Sequence, residues 1–218
     1  MTAQTLSHTA VETPANRACG AGVQSPEPLR TGVFGGSFNP IHNGHIALAR
    51  QLLRQAALHE IWFVVSPLNP FKREATDLLA DDLRLDLTRR ALSREPHLMA
   101  SDCEFGLPRP SYMWNTLQHL AAQHPDRRFV LIIGADNWLS FDRWAHADDI
   151  LQHHEVVVYP REGFPIVEAD MPPQVRLMHT ALYPLSSTDI RRRVRDGESI
   201  DGMVPEEIRS LVQTYYRV

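Results

Sequence analysis

The chain has 218 residues, of which 43% are hydrophobic and 22% charged, with a formal net charge of −4. That length fits one domain with small appendages, and the lack of bulk basicity speaks against nucleic acid as a partner, though not against a small nucleotide in a local basic pocket. Two cysteines, Cys19 and Cys103, make no disulfide or metal framework. No apolar run reaches the roughly eighteen residues of a membrane span and the N-terminus lacks a signal-peptide core, so a cytoplasmic protein with no membrane partner is expected.

Residues 1–30 are rich in Thr, Ala, Ser, Pro and Gly with little periodicity. They read as a disordered N-terminal extension, leaving a domain over 31–218. The first strand is expected at 31–34. A helix follows at 43–57, with Ile46, Ala49, Leu53 and Ala56 three and four apart. The apolar run 60–65 predicts a buried parallel strand. Pro67 and Pro70 end it, and a polar loop at 67–80 carries Lys72 and Arg73. A helix is expected at 81–94, with Leu83, Leu87 and Ala91 on one face, then a third strand from Leu98 to Phe105 that includes Cys103. Pro108 and Pro110 break the chain before a helix at 111–123, for which Ser111 is an N-cap candidate. Strands are expected at 129–133, 155–159 and 175–180, with short helices between 137 and 153 and a loop at 160–174. The last helices are expected at 188–196 and after Pro205. Strands alternating with helices predict an α/β fold: a Rossmann-like, doubly wound, mainly parallel sheet with helices on both faces.

Chemistry concentrates in three places. The first is Gly35-Gly36-Ser37-Phe38-Asn39-Pro40-Ile41-His42-Asn43-Gly44-His45, between the first strand and its helix. Gly35 and Gly36 permit a sharp turn and close approach to a ligand. The helix start presents unpaired amides and a positive dipole end, which suits phosphate. His42 and His45, three apart, fall on one face and can hold a polyphosphate without permanent charge. The plainer alternative is a turn cap and a solvated histidine. The second place is Ser186-Ser187-Thr188-Asp189-Ile190-Arg191. Small hydroxyl residues at a helix start, with an arginine one turn on, again suit an anion; a helix cap beside a basic run is the alternative. The third is Ile132-Ile133-Gly134-Ala135-Asp136, where a strand-end glycine admits a ligand and Asp136 can accept from ribose hydroxyls or merely cap a turn. The sequence fits neither the Walker A pattern nor the dinucleotide glycine fingerprint.

The first stretch resembles the (T/H)-x-G-H signature of the nucleotidyltransferase superfamily, in the form found in bacterial nicotinate-nucleotide adenylyltransferases. The Ser186–Arg191 stretch resembles the S-S-T-x-I-R motif of the same superfamily, with Leu185 where many members have Ile. Ile132–Asp136 resembles the family's I-I-G-x-D. Two further segments match: Pro110-Ser111-Tyr112-Met113-Trp114-Asn115-Thr116-Leu117 is similar to P-S-Y-T-x-x-T-L, with Met113 replacing Thr, and Phe141-Asp142-Arg143-Trp144 is similar to F-x-x-W. The resemblance spans about residues 31–216. On pattern alone Trp144 reads as packing, and Lys72 as a surface lysine or a phosphate contact.

The resemblance implies adenylyl transfer from ATP, with Mg²⁺, to nicotinate mononucleotide. His42, His45 and Arg191 would serve catalysis. Gly35, Gly36, Ser37, Phe38, Gly134, Asp136, Ser187 and Thr188 would bind ATP. Asn39, Lys72, Tyr112, Met113 and Trp144 would bind the nicotinate nucleotide. No protein metal site is implied. Two alternatives stand beside this: transfer to nicotinamide mononucleotide or another phosphate such as phosphopantetheine, and a nucleotide-binding regulatory module without catalysis.

Overall fold

The structure, a computed structural model, describes Met1 and residues 27–67 and 78–217. Most of the expected N-terminal extension, and Lys72 with most of its loop, lie outside the described residues.

In chain order the elements are β1 (Leu29–Gly36), α1 (Asn43–Gln55), β2 (Glu60–Val65), α2 (Asp81–Ala91), β3 (Leu98–Ser101), α3 (Met113–Gln123), β4 (Arg127–Gly134), α4 (Ala135–Trp138), α5 (Ala147–His153), β5 (Glu155–Tyr159), β6 (Val175–Leu177), α6 (Ser187–Arg195) and α7 (Glu206–Tyr215). The strands form one parallel sheet in the order β3-β2-β1-β4-β5-β6. From β1 the chain steps to one side through β2 and β3, then returns to pair β4 on the other side. Ligand crevices in such sheets open at the carboxyl ends of the strands where the winding reverses, here β1 and β4.

Alternation along the central strands divides the core into two layers. Phe34, Phe63, Val130 and Ile132 face one side and pack on Ala49 and Leu52 of α1, Leu85 and Leu87 of α2, Ile190 of α6 and Ile208 of α7. Val33, Trp62, Leu131 and Ile133 face the other and pack on Leu117 and Leu120 of α3 and Ile150 of α5. Among the described residues no helix is long and apolar enough to cross a membrane.

Several boundaries differ from the sequence expectation. β1 begins at Leu29, whose N–H donates to the Asp126 carbonyl at 3.0 Å, while the Arg30 guanidinium meets Glu155 at 2.8 Å. Partners 97 and more residues away extend the strand, and local pattern does not display them. β3 stops at Ser101, and Cys103 lies instead in a 3-10 turn, Cys103–Gly106. There the Phe105 N–H turns back to the Asp102 carbonyl at 2.8 Å. β6 ends at Leu177, three residues early. α3 starts at Met113 with Tyr112 as its N-cap. Ser111 does not cap it, because its hydroxyl lies on the wall of a cavity, buried and without a hydrogen-bond partner. In α2 the buried face runs through Arg84, Leu85, Leu87, Thr88 and Ala91, with Leu83 only half-buried.

Candidate active site

The turn after β1 is built differently from the glycine-led turn expected. Gly35 and Gly36 are still in the strand, and the positive φ falls on Phe38, at 43°. Left-handed backbone is costly for a residue with a Cβ, and packing offsets it. The Phe38 ring is 4% exposed and stands 5.3 Å from both Phe63 and His45 and 5.7 Å from Phe34, centroid to centroid. A Cβ on Gly36 would lie 2.9 Å from that ring. The glycine is therefore needed for close approach rather than for its dihedrals.

α1 begins with His42 as N-cap. The His42 N–H donates to His45 Nδ1 at 3.2 Å. His45 Nδ1 is thus an acceptor, which assigns the ring proton to Nε2. The two imidazoles stack, with centroids 3.6 Å apart and planes 25° from parallel. The helix start offers fewer free donors than expected, since the Asn43 N–H goes to the Met203 carbonyl at 2.9 Å. His42 is buried, and burial, with the positive charge of Arg161 as the lesser cause, lowers its pKa to about 4. It is neutral at neutral pH, and Nδ1 is buried without a partner.

That shift has a consequence for stability. Unfolded, His42 titrates at its ordinary value of 6.5, while folded it titrates at about 4. As pH falls below 6.5 the unfolded chain takes up the proton first, so stability drops until about pH 4. Between pH 7 and pH 5 this should amount to about 2 kcal/mol. Urea unfolding at both pH values should show the loss in the parent protein, and a loss about that much smaller in His42→Asn. Equal losses in the two would remove His42 as the cause.

Two cavities adjoin at the carboxyl ends of β1, β4 and β5. One, of about 230 Å³, is lined by Gly35, Gly36, Tyr112, Met113, Gly134 and Trp144, with Glu104, Arg143 and Tyr159 also on its wall. The other, of about 810 Å³, is lined by His42, His45, Asp136 and Tyr159, with Arg161 and the loop from Ala181 to Ser186. Tyr159 belongs to both and marks their junction. A Cβ at Gly134 would sit 2.4 Å from Asp136 Oδ1, so only glycine lets the Asp136 carboxylate fold back over the end of β4. In the smaller cavity Met113 reaches across to Gly35, where an added Cβ would meet its Cε at 2.8 Å. Trp144 is half-buried and tilted against Phe141, 5.1 Å away. It packs on the core and faces the cavity at once.

The Ser186–Arg191 motif closes onto the first. Ser186 caps α6 by accepting from the Asp189 N–H at 3.1 Å. Ser187 Oγ donates to the Pro40 carbonyl at 2.8 Å, and Arg191 Nη1 to the Asn39 carbonyl at 2.8 Å. Residues about 150 apart in sequence are joined there, and Ser186 and Asp189 stand on the wall of the larger cavity. Ser37, Phe38, Asn39, Ser187, Thr188 and Arg191 are not on either wall. Ser37 gives its carbonyl to Arg84 at 2.5 Å. The Asn39 side chain is turned inward, where Oδ1 accepts from Leu79 N–H at 3.2 Å and from Tyr216 Oη at 2.7 Å.

Sequence reasoning passed over Arg161 and Glu104. Arg161 lies two residues past the last residue of β5. Its guanidinium lies over the Tyr159 ring at 5.4 Å and its Nε is 3.5 Å from Asp136 Oδ1. Its position at the carboxyl end of a central strand was the available signal. Among the described residues no three His, Cys, Asp or Glu side chains group as metal ligands. The stacked imidazoles of His42 and His45 and the cation Arg161 on the same wall suit phosphate oxygens.

Comparison with known proteins places the chain. The model of the cytidylyltransferase-like family matches residues 33–193. A probable nicotinate-nucleotide adenylyltransferase of Bacteroides thetaiotaomicron is 44% identical over 189 residues, which cover 87% of this chain and 93% of that protein. Its counterpart from Bacteroides fragilis is 47% identical over 171 residues, 78% of this chain and 85% of that protein. Among solved structures, the nicotinic acid mononucleotide adenylyltransferase of Plasmodium falciparum complexed with NaAD superposes with a TM-score of 0.70 at 18% identity, covering 86% of this chain and 94% of that one. On the length and identity of these matches, and on the two cavities its motifs enclose, the chain belongs to the cytidylyltransferase-like family, among the nicotinate-nucleotide adenylyltransferases.

Proposed function

We propose that the protein transfers the adenylyl group of ATP to nicotinate mononucleotide, giving nicotinate adenine dinucleotide and pyrophosphate. The observation that carries this is the pair of adjoining cavities at the β1–β4 switch point. The larger has paired imidazoles and a guanidinium suited to a triphosphate. The smaller has aromatic walls suited to a flat ring. In the reaction an oxygen of the acceptor's phosphate attacks the α-phosphorus of ATP, and the bond from that phosphorus to the bridging oxygen breaks as pyrophosphate leaves. The nucleophile is already ionised at neutral pH, so the chain need supply no general base. What it supplies is position and charge stabilisation.

In this reading His42 and His45 hold the ATP phosphates, and Arg161 supplies positive charge at the junction of the cavities. Ser187 and Arg191 brace the Asn39-Pro40 turn, and the guanidinium charge of Arg191 favours the β- and γ-phosphates bound beside that turn. Mg²⁺ enters on ATP. Tyr112, Met113 and Trp144 receive the pyridine nucleotide, with Trp144 stacking on the ring and backbone amides near Met113 and Trp144 meeting the carboxylate. Lys72 remains a candidate phosphate contact outside the described residues.

Incubation with ATP, Mg²⁺ and each mononucleotide, followed by pyrophosphate release and product mass, tests the reading. Nicotinate mononucleotide should be preferred over the nicotinamide form by about tenfold to a hundredfold in kcat/KM, the effect of losing donors that suit a carboxylate, about 1–3 kcal/mol. Trp144→Ala should impair both acceptors, since stacking is indifferent to the ring substituent, and Met113→Thr should leave the preference nearly unchanged. Equal values for the two acceptors in the parent protein would sink the nicotinate assignment and leave adenylyl transfer standing.

A further inference from the structure

On the wall of the smaller cavity stands a carboxyl group that none of the motifs above explains. Glu104 lies on the 3-10 turn between β3 and α3 and is 2% exposed. Its Oε1 accepts from Thr116 Oγ1 at 2.8 Å. Its Oε2 is buried without a hydrogen-bond partner, and so are Ser111 Oγ and Trp144 Nε1 of the same wall. Burial raises its pKa, and the facing hydroxyls of Thr116, Ser111 and Ser66 offset this in part. A carboxyl group so placed keeps Oε1 for Thr116 in either protonation state, and its charge acts on the cavity it lines.

The groups around it are few. α3 and its cap bring Thr116 and Tyr112, and the end of β2 brings Ser66, whose carbonyl is held by the Arg84 guanidinium at 3.0 Å. Its own turn contributes Asp102 and Cys103, whose thiol is pushed up to about 11, chiefly by burial. Arg143 and Tyr159 look on from the cavity. No other carboxyl group, and no imidazole or thiol, lines that cavity among the described residues. The remaining ionisable groups on it are a guanidinium and two phenols.

We propose that the charge state of Glu104 sets the choice between an anionic and a neutral pyridine nucleotide. As the neutral acid it admits a ring bearing a carboxylate. As a carboxylate it repels that ring and spares one bearing a carboxamide. This rests on the acceptor assignment above. The two mononucleotides share their ribose phosphate, so groups that act on phosphate or on ATP cancel in the ratio of kcat/KM between them. The ratio therefore isolates what acts on the ring substituent.

The experiment measures that ratio from about pH 5.5 to about pH 8.5, a range in which the nicotinate carboxylate stays ionised. In the parent protein the preference for nicotinate should fall by about tenfold as pH rises. In Glu104→Gln, which keeps an acceptor for Thr116 but no charge, the ratio should stay flat. In Thr116→Val the fall should move to higher pH, because a donor that favours the charged form is gone. A purely structural role would weaken both acceptors alike and leave the pH profile of the ratio unchanged. A flat ratio in the parent, or the same fall in Glu104→Gln, would overturn the proposal. Should Glu104→Gln fail to fold, an undisplaced fall in Thr116→Val would do so. If neither acceptor is adenylylated, the functional reading itself has failed. Calorimetric binding of the two mononucleotides over the same pH range then decides on Glu104 separately, and parallel affinities would overturn it.

Discussion

His45→Ala is expected to lower kcat by about 10²–10³ while leaving KM for ATP within a fewfold of the parent value. The ring is held on several sides. His42 stacks on it at 3.6 Å, Phe38 meets it edge-on at 5.3 Å, and the His42 N–H fixes its tautomer through Nδ1. A donor oriented before the reaction begins needs no reorganisation when charge develops on the departing pyrophosphate, and that is where such donors count most. Alanine removes the ring and keeps the helix, since it is the best of helix formers. Steady-state kinetics with pyrophosphate detection reads both constants. A kcat within a fewfold of the parent would take His45 off the catalytic list, and a rise confined to KM would make it a binding residue only.

The second large effect is on stability. Arg84→Met should destabilise the protein by about 3–5 kcal/mol in urea unfolding. Arg84 is fully buried. Its guanidinium donates to the carbonyls of Leu79 at 2.9 Å, Ser37 at 2.5 Å and Ser66 at 3.0 Å, and pairs with Asp81 at 2.6 Å. Asp81 in turn meets Arg109 at 2.9 Å. One side chain thus ties the turn after β1, the end of β2 and the start of α2, and through Asp81 reaches the segment before Tyr112. Methionine matches the volume approximately and leaves three carbonyls without their donor. Because Ser66 lines the smaller cavity, turnover should fall as well. Arg84→Lys, which keeps a charge but cannot span all four partners, should lie between the two. A loss under about 1 kcal/mol for Arg84→Met would show that water takes over the guanidinium's bonds.

Arg84 also shows where reading the sequence reaches its limit. The spacing of Leu83, Leu87 and Ala91 predicts the helix correctly, yet it assigns Leu83 to the inner face, where the structure buries Arg84 instead. Periodicity reports apolar faces, and an arginine enters one only when distant carbonyls and a carboxylate surround it. Glu104 was missed for the same reason, since its partner Thr116 and the cavity behind it come together only in the fold. Ser111 looked like a cap because small hydroxyl residues cap helices, but its neighbours turned it inward.

What the amino-acid sequence determined unaided was the architecture and the family. Short apolar runs bounded by Gly and Pro, alternating with helical periodicity, allow few arrangements other than a parallel sheet covered on both faces. The glycine-histidine turn and the Ser-Ser-Thr helix start are contiguous stretches, so their residue patterns are legible without the rest of the chain. The tertiary structure alone decided how those stretches meet. Ser187 and Arg191 fasten the Asn39-Pro40 turn rather than face a cavity directly. Asn39 is drawn inward by Leu79 and Tyr216. Phe38, not a glycine, takes the left-handed backbone of the turn. Each of these outcomes rests on a hydrogen bond or a ring packed across many residues of sequence. Such contacts leave no trace in local pattern, because the residue types that make them are equally at home on a solvated surface.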